Sequence, residues 1–268
     1  MQGVSRSLSP QEARALLAWY REAGVDEAIA ETPVDRFSAE RPAHSALIGS
    51  GESAPAVAAD PVLQARQRAA GAASLEELRN ILDGFEACPL RYTAKNLVFA
   101  AGNPQAPLML VGEAPGAEED LQGKPFVGRA GQLLDRMLAA IGIDRSSAYI
   151  ANIVYWRPPG NRTPTPQETQ ICRPFIERQI ELAAPQVLVL LGGAAAKELL
   201  GRSDGILRLR GKWLELEAGG RTIPVLPTLH PAYLLRQPAQ KRLAWRDLLA
   251  VKKRLAELPE QAGSGQED

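Results

Sequence analysis

Four apolar runs in this chain end in residues whose types suit a flat, hydrogen-bonding ligand. "PLMLV" is followed by Gly112, Glu113, Ala114, Pro115 and Gly116; "AYIA" ends at Asn152; "VLVLL" ends at Gly192 and Gly193; "IPVLPTL" ends at His230 and Pro231. One amide donates and accepts at once, which matches the edge of a nucleobase. A histidine can donate a hydrogen bond to an oxygen that gains charge as a bond breaks. Gly112 and Gly116 let the backbone take unusual torsions or let a ring approach closely, and Phe126, flanked by Pro125 and Gly128, offers an aromatic face. "GEAPGA" has neither the spacing of a dinucleotide-binding turn nor the Lys-Ser/Thr of a P-loop.

These groups meet only if the runs are neighbouring strands. "NLVFA", "PLMLVG", "AYIANIV", "QVLVLLG" and "TIPVLPT" alternate with helical patterns from about Gly128 to Ile141, after Thr165 and Pro166, through "AAAKELL", and from about Pro238 to Leu258. Such alternation implies right-handed crossovers. The fold class it predicts is α/β: a three-layer α/β/α sandwich with a mostly parallel central sheet of about four strands. "LMLV", "VLVLL" and "IPVL" are apolar throughout, as strands buried on both faces should be. In open α/β sheets the ligand crevice lies outside the carboxyl ends of the strands, where the four groups above are found.

The 268 residues allow a substantial core, and Lys plus Arg balance Asp plus Glu at 31 each, so nucleic-acid contact has to rest on local basic patches. Two cysteines, Cys88 and Cys172, exclude a disulfide framework. The apolar runs are far shorter than a bilayer span and "MQGVSRSLSPQEARA" lacks a secretory signal's apolar stretch, so no membrane is expected as a partner and the expected location is cytoplasmic. Residues 1–37 read as an N-terminal helical extension, with a helix over 9–30 opened by Ser9, Pro10 and Glu12. An Ala, Pro, Ser and Gly-rich flexible linker is expected over 38–70, the main domain over 71–258 and a disordered tail over 259–268. Ser74 and Glu77 form a capping box before "LEELRNILDGF", and "RLRGK" at 208–212 reads as a solvated hairpin face.

The runs "GEAPGAEEDLQGKPFVGRAGQLLD", "RPPGNRTPTPQE" and "LHPAYLLRQPAQKRLAWRDL" resemble, in order, the three signature regions of family 4 uracil-DNA glycosylases. The resemblance spans about residues 75–257 and implies hydrolysis of the N-glycosidic bond of uracil in DNA, leaving an abasic site and initiating base excision repair. On matching positions, Phe126 resembles the residue that stacks on the flipped uracil. Asn152 resembles the amide that reads its Watson–Crick edge and rejects cytosine. His230 resembles the histidine that stabilises O2 of the departing uracil anion. Glu113 and Glu119 match acidic positions near the pocket, and Ala114 stands where other branches of the superfamily have a catalytic Asp. Flipping a base costs a few kcal/mol. Tyr233, Leu234, Leu235 and Arg236 are candidates to enter the gap it leaves, while Arg157, Asn161, Arg162 and the amides of Gly192 and Gly193 are candidates for phosphate contact.

Family 4 members usually bind a [4Fe-4S] cluster through four cysteines. Cys88 and Cys172 fit the second and fourth positions, whereas Phe85 and Trp156 occupy the others, and neither coordinates iron. No cofactor is expected, with aromatic packing in the cluster's place and the two thiols as small buried hydrophobes. The expected partner is uracil-containing DNA, bound by a monomer, with a repair or replication partner reached through the N-terminal extension. The alternative is a protein that binds uracil-containing DNA without turnover or with altered specificity. Relatives that trap DNA through a histidine in a basic loop are disfavoured, because "VYWRPPGNRTPTPQE" carries none.

Overall fold

The computed structural model of the chain describes residues 60–258; the helix expected over 9–30, the linker as far as residue 59 and the tail from 259 lie outside them. Over its last ten residues the expected linker is instead a helix, α1 (Pro61–Ala70), capped by the Asp60 carboxylate, which accepts from the Val62 amide at 2.9 Å. The alanines read as flexible are strong helix formers, and Ala65 and Ala69, one turn apart, are buried where α1 packs on α5 (Pro166–Ala183). Arg178 of α5 secures the turn beyond, donating twice to the Ala72 carbonyl at 3.0 and 2.7 Å. At α2 (Leu75–Asp83) the expected cap is present: Ser74 Oγ accepts from the Glu77 amide at 3.1 Å.

The strands are β1 (Ala101–Gly102), β2 (Leu108–Gly112), β3 (Ala148–Asn152), β4 (Val187–Leu191), β5 (Leu214–Ala218) and β6 (Arg221–Thr228), in the sheet order β1-β3-β2-β4-β6-β5. β3, β2, β4 and β6 pair in parallel and form the expected four-stranded centre, while β1 and β5 add short antiparallel edges. "NLVFA" is not a strand: the Val98 amide reaches only the Tyr155 carbonyl, at 2.9 Å, before β1 begins at Ala101.

Every residue of β2, β3 and β4 is buried, because helices cover both faces. Met109 and Val111 face one cluster with Leu188, Leu190 and Phe175 of α5, whereas Leu108 and Leu110 face a second with Leu134 and Leu138 of α4 (Arg129–Ala139) and Val251 of α9 (Lys241–Ala256). A third cluster joins Leu133 of α4, Leu234 of α8 (Pro231–Arg236) and Leu248 of α9 to Leu229, and so supports the segment that carries His230.

The 208–212 stretch is not a hairpin face. The hairpin lies between β5 and β6 and turns at Gly219 and Gly220, both at positive φ, while Ile206–Leu209 is a short helix, α7. Arg210 is drawn inward by Asp247, a buried carboxylate that needs a cation; their ion pair is joined by a 2.6 Å hydrogen bond from Thr228 Oγ1 to Asp247. From β2 the chain passes to β3 on one side and later to β4 on the other, so the crevice at this reversal opens between the carboxyl ends of β2 and β4.

Candidate active site

Gly112 ends β2, and only glycine fits there. A Cβ would lie 2.5 Å from Asn152 Oδ1 and 2.6 Å from Phe126 Cζ, so the missing side chain lets amide and ring come together. Beyond it, α3 (Ala117–Gln122) supplies Glu119. One oxygen of this carboxylate accepts from the Gly116 amide at 3.1 Å, and the other from the amides of Val127 and Gly128 at 3.0 and 2.9 Å. Glu119 therefore ties the loop's two ends together.

Phe126 sits between those ends with φ +54°, a left-handed torsion that a bulky side chain rarely takes. Its peptide group is held from the opposite side as well: the Arg145 guanidinium donates to the Phe126 carbonyl and, at 3.3 Å, to the Pro125 carbonyl, and is itself paired with Asp135 at 2.7 Å. Gly131 completes the seat, because a Cβ there would stand 1.8 Å from the Phe126 oxygen. Such a conformation persists only where its surroundings over-determine it, as here.

Beside it lies His230, whose ring centroid is 5.6 Å from that of Phe126 with the planes inclined by 34°. It caps α8: Nδ1 accepts from the Ala232 amide at 3.1 Å, so in the neutral ring the proton sits on Nε2. Burial, helped by the positive charge of Arg236, lowers its pKa to about 4 and keeps the ring neutral at physiological pH; the Glu119 carboxylate opposes this weakly. Asn152, at the end of β3, is 1% exposed, and its Oδ1 has no hydrogen-bond partner. A buried acceptor of this kind costs about 1–3 kcal/mol unless a ligand satisfies it.

Together with these three, Glu113, Ala114, Glu119, Asn161, Arg162, Gly193 and Arg236 line one cavity of about 730 Å³. Glu113 is half-buried, and burial pushes its carboxyl above the ordinary range. Arg162 forks onto Glu168, at 2.8 and 2.6 Å, whereas Arg157, which is not among the residues lining the cavity, donates to Asn161 Oδ1 at 2.7 Å. Two expectations change. Leu234, named as a base-gap wedge, is 1% exposed because its side chain faces the third apolar cluster. The Gly192 amide, named for phosphate contact, already donates to the Thr228 carbonyl at 2.9 Å; Gly193 opens α6 (Gly193–Leu200). Leu235 packs partly buried against the same cluster as Leu234.

Residues 99–249 match the family model described as the uracil DNA glycosylase superfamily. The chain belongs to that superfamily. Among this glycosylase's relatives, the type-4 uracil-DNA glycosylase of Archaeoglobus fulgidus is 42% identical over 169 residues, 62% of this chain and 85% of that protein. The type-4 uracil-DNA glycosylase of Thermotoga maritima is 43% identical over 169 residues, 62% of this chain and 86% of that protein. That of Pyrobaculum aerophilum is 39% identical over 178 residues, 65% and 91% respectively. These likenesses agree with the family 4 signatures read from the sequence.

A [4Fe-4S] cluster does not fit the residues at the corresponding positions of this glycosylase. Cys88 and Cys172 lie with their sulfurs 3.9 Å apart, and the neighbouring Cys88 sulfur together with burial pushes the Cys172 thiol well above its usual pKa. Phe85 and Trp156 are both buried: the first packs edge-on against Phe175 at 4.9 Å and the second against Tyr155 at 6.3 Å. Among the described residues no group of three or more His, Cys, Asp or Glu side chains could hold a metal ion, and no helix is long and apolar enough to cross a membrane.

Proposed function

We propose that this chain is a uracil-DNA glycosylase that takes uracil out of the DNA stack and hydrolyses the bond between uracil N1 and deoxyribose C1′, leaving an abasic site for base excision repair. The observation that carries the reading is the buried, unpartnered Asn152 Oδ1, in the same cavity lining as Phe126 and His230. Uracil's N3–H is a donor that would satisfy it, and the amide's NH₂ would meet O4. Cytosine presents an acceptor at N3, which would face Oδ1 and be repelled.

Phe126 supplies the stacking face. As the C1′–N1 bond lengthens, the electron pair moves into the base and negative charge gathers on O2, where the Nε2–H of His230 donates. A neutral donor needs no prior titration at pH 7. Water then adds to the sugar carbon and its proton passes to solvent or to a carboxylate; Glu113, with its raised pKa, is the acid side chain in the cavity whose oxygens are not committed to backbone amides. Glu119 acts by holding the loop rather than on the base. Arg157, Asn161, Arg162, Gly193 and Arg236 form the flank for phosphates.

The same reading has a cytoplasmic monomer working without an iron–sulfur cluster. Its test is alkali-labile breakage of a uracil-containing oligonucleotide by the purified protein beside His230→Ala and Asn152→Ala, with an absorption spectrum of the same stock. Cleavage that both substitutions greatly reduce, from a colourless protein, supports the glycosylase and cluster-free parts. Tight binding without cleavage overturns the enzymatic reading, and absorption in the 400 nm region typical of iron–sulfur clusters, roughly, overturns the cluster-free one.

A further inference from the structure

A buried carboxylate that the reaction does not use lies behind the rim of the cavity. Asp120, on α3, is 2% exposed. One of its oxygens accepts from the amides of Lys95 and Asn96 at 2.8 and 3.1 Å, which ties α3 to the loop that runs before β1. Its other oxygen faces the Arg157 guanidinium at 4.0 Å. A charge enclosed in this way needs a cation, so Arg157 is drawn back toward α3.

Arg157 in turn reaches Asn161. Its Nε donates to Asn161 Oδ1 at 2.7 Å, and Asn161 is exposed and lines the cavity where Arg157 does not. A guanidinium carries donors only, so the oxygen of the Asn161 amide is the atom turned inward and its NH₂ group is the one left for a ligand. The backbone suits this: Gly160 and Asn161 are both left-handed, at φ +63° and +56°, and the Asn161 amide donates to the Pro158 carbonyl at 3.1 Å. Asparagine takes that torsion more readily than most side chains. The 95–96 loop, α3 and the turn after β3 thus converge on the orientation of one rim amide.

An amide free to turn at this place would present its oxygen to a phosphate as readily as its NH₂, and the oxygen would be repelled. We propose that Arg157 is a positioning residue, held by Asp120, that fixes Asn161 with its donors toward the DNA backbone and does not itself neutralise a phosphate. The proposal rests on the glycosylase reading above and refines the phosphate flank named there. Salt dependence separates the two roles. Each duplex phosphate neutralised by a protein cation adds about 0.9 to the slope of log Kd against log salt concentration, whereas a neutral amide adds none.

The experiment measures Kd for duplex DNA carrying an uncleavable 2′-fluoro-deoxyuridine over a series of salt concentrations, with KM and kcat on ordinary uracil DNA. The proteins are wild type, Arg157→Met, Asn161→Ala, the double variant of these two, and Asp120→Asn, which keeps an acceptor for both loop amides. Arg157→Met and Asn161→Ala should each weaken Kd and raise KM roughly five- to tenfold, with kcat nearly unchanged and the salt slope equal to that of wild type. The double variant should bind no more weakly than Asn161→Ala, and Asp120→Asn should shift Kd in the same direction as Arg157→Met. A slope lowered by about one in Arg157→Met, additive losses in the double variant, or wild-type binding by Asp120→Asn overturns the proposal. Wild type that neither binds nor cleaves uracil DNA would sink the glycosylase reading, and this inference with it.

Discussion

Phe126 and His230 lie beside one another in the lining of the cavity, their ring centroids 5.6 Å apart and their planes inclined by 34°, and Asn152 lines the same cavity. A flat base entering there would be stacked from one side and hydrogen-bonded at its edge. Replacing His230 by Ala removes the donor aimed at the leaving group, and kcat should fall about a hundred- to a thousandfold with a much smaller change in KM. Single-turnover cleavage of a uracil oligonucleotide measures both.

His230 also links stability to pH. Its pKa is lowered from 6.5 to about 4 in the fold, so between those values the unfolded chain binds a proton that the folded chain does not. The stabilisation from this group is complete above pH 6.5 and declines as pH falls toward 4, by up to about 3 kcal/mol. Urea midpoints from pH 7 to 4.5 should fall more steeply for wild type than for His230→Gln. Parallel curves would show that burial of the imidazole is not what the acid limb reports.

Asn152→Ala should lose activity without losing stability. The amide oxygen is buried and unsatisfied in the free protein, so deleting it removes a cost of about 1–3 kcal/mol while leaving a smaller side chain at the edge of an existing cavity. Expected are a thermal midpoint equal to or above wild type and cleavage reduced at least a hundredfold, roughly the effect of losing one recognition group in a water-excluded site. A clear drop in midpoint would mean that Asn152 serves the fold.

Gly112→Ala should separate pocket from scaffold. The added Cβ falls 2.5 Å from Asn152 Oδ1 and 2.6 Å from Phe126 Cζ, both side-chain atoms, so the base site is displaced while β2 keeps its pairing with β3 and β4. Secondary structure by circular dichroism should be unchanged and cleavage nearly absent.

Arg145→Met removes the donors that hold the Phe126 and Pro125 carbonyls. A phenylalanine at φ +54° then has less to keep it there, and kcat/KM should drop about tenfold, with Arg145→Lys regaining part of the loss. Equal activity in wild type and Arg145→Met would place the whole constraint on Glu119 and Gly131.

The sheet and two of the central side chains were legible because strand ends in a parallel sheet converge by topology: Asn152 and His230, like Gly112, each follow a short, mainly apolar run. What stayed hidden depends on contacts between distant segments. Arg145 lies in "IDRSSAY", where no motif marks it, and Gly131 reads as an ordinary helix glycine until the Phe126 carbonyl is placed against it. Arg210 reads as surface because its partner, Asp247, is 37 residues away. Leu234 was assigned to solvent by its motif, whereas the packing of α8 on α4 turns it inward. α1 was lost to a composition rule that treats alanine as a mark of looseness.

The strand bearing Asn152 and the strand leading to His230 lie on opposite sides of β2 and β4, and the histidine comes 78 positions later in the chain. A ribosome that has released the stacking ring and the reading amide has still not made the group that receives the leaving charge. Until β6 pairs with β4, the segment that carries His230 has no strand to lean on, so the cleft lacks the donor that takes up the leaving charge. Chain order thus places the leaving-group donor after every other central residue of the site.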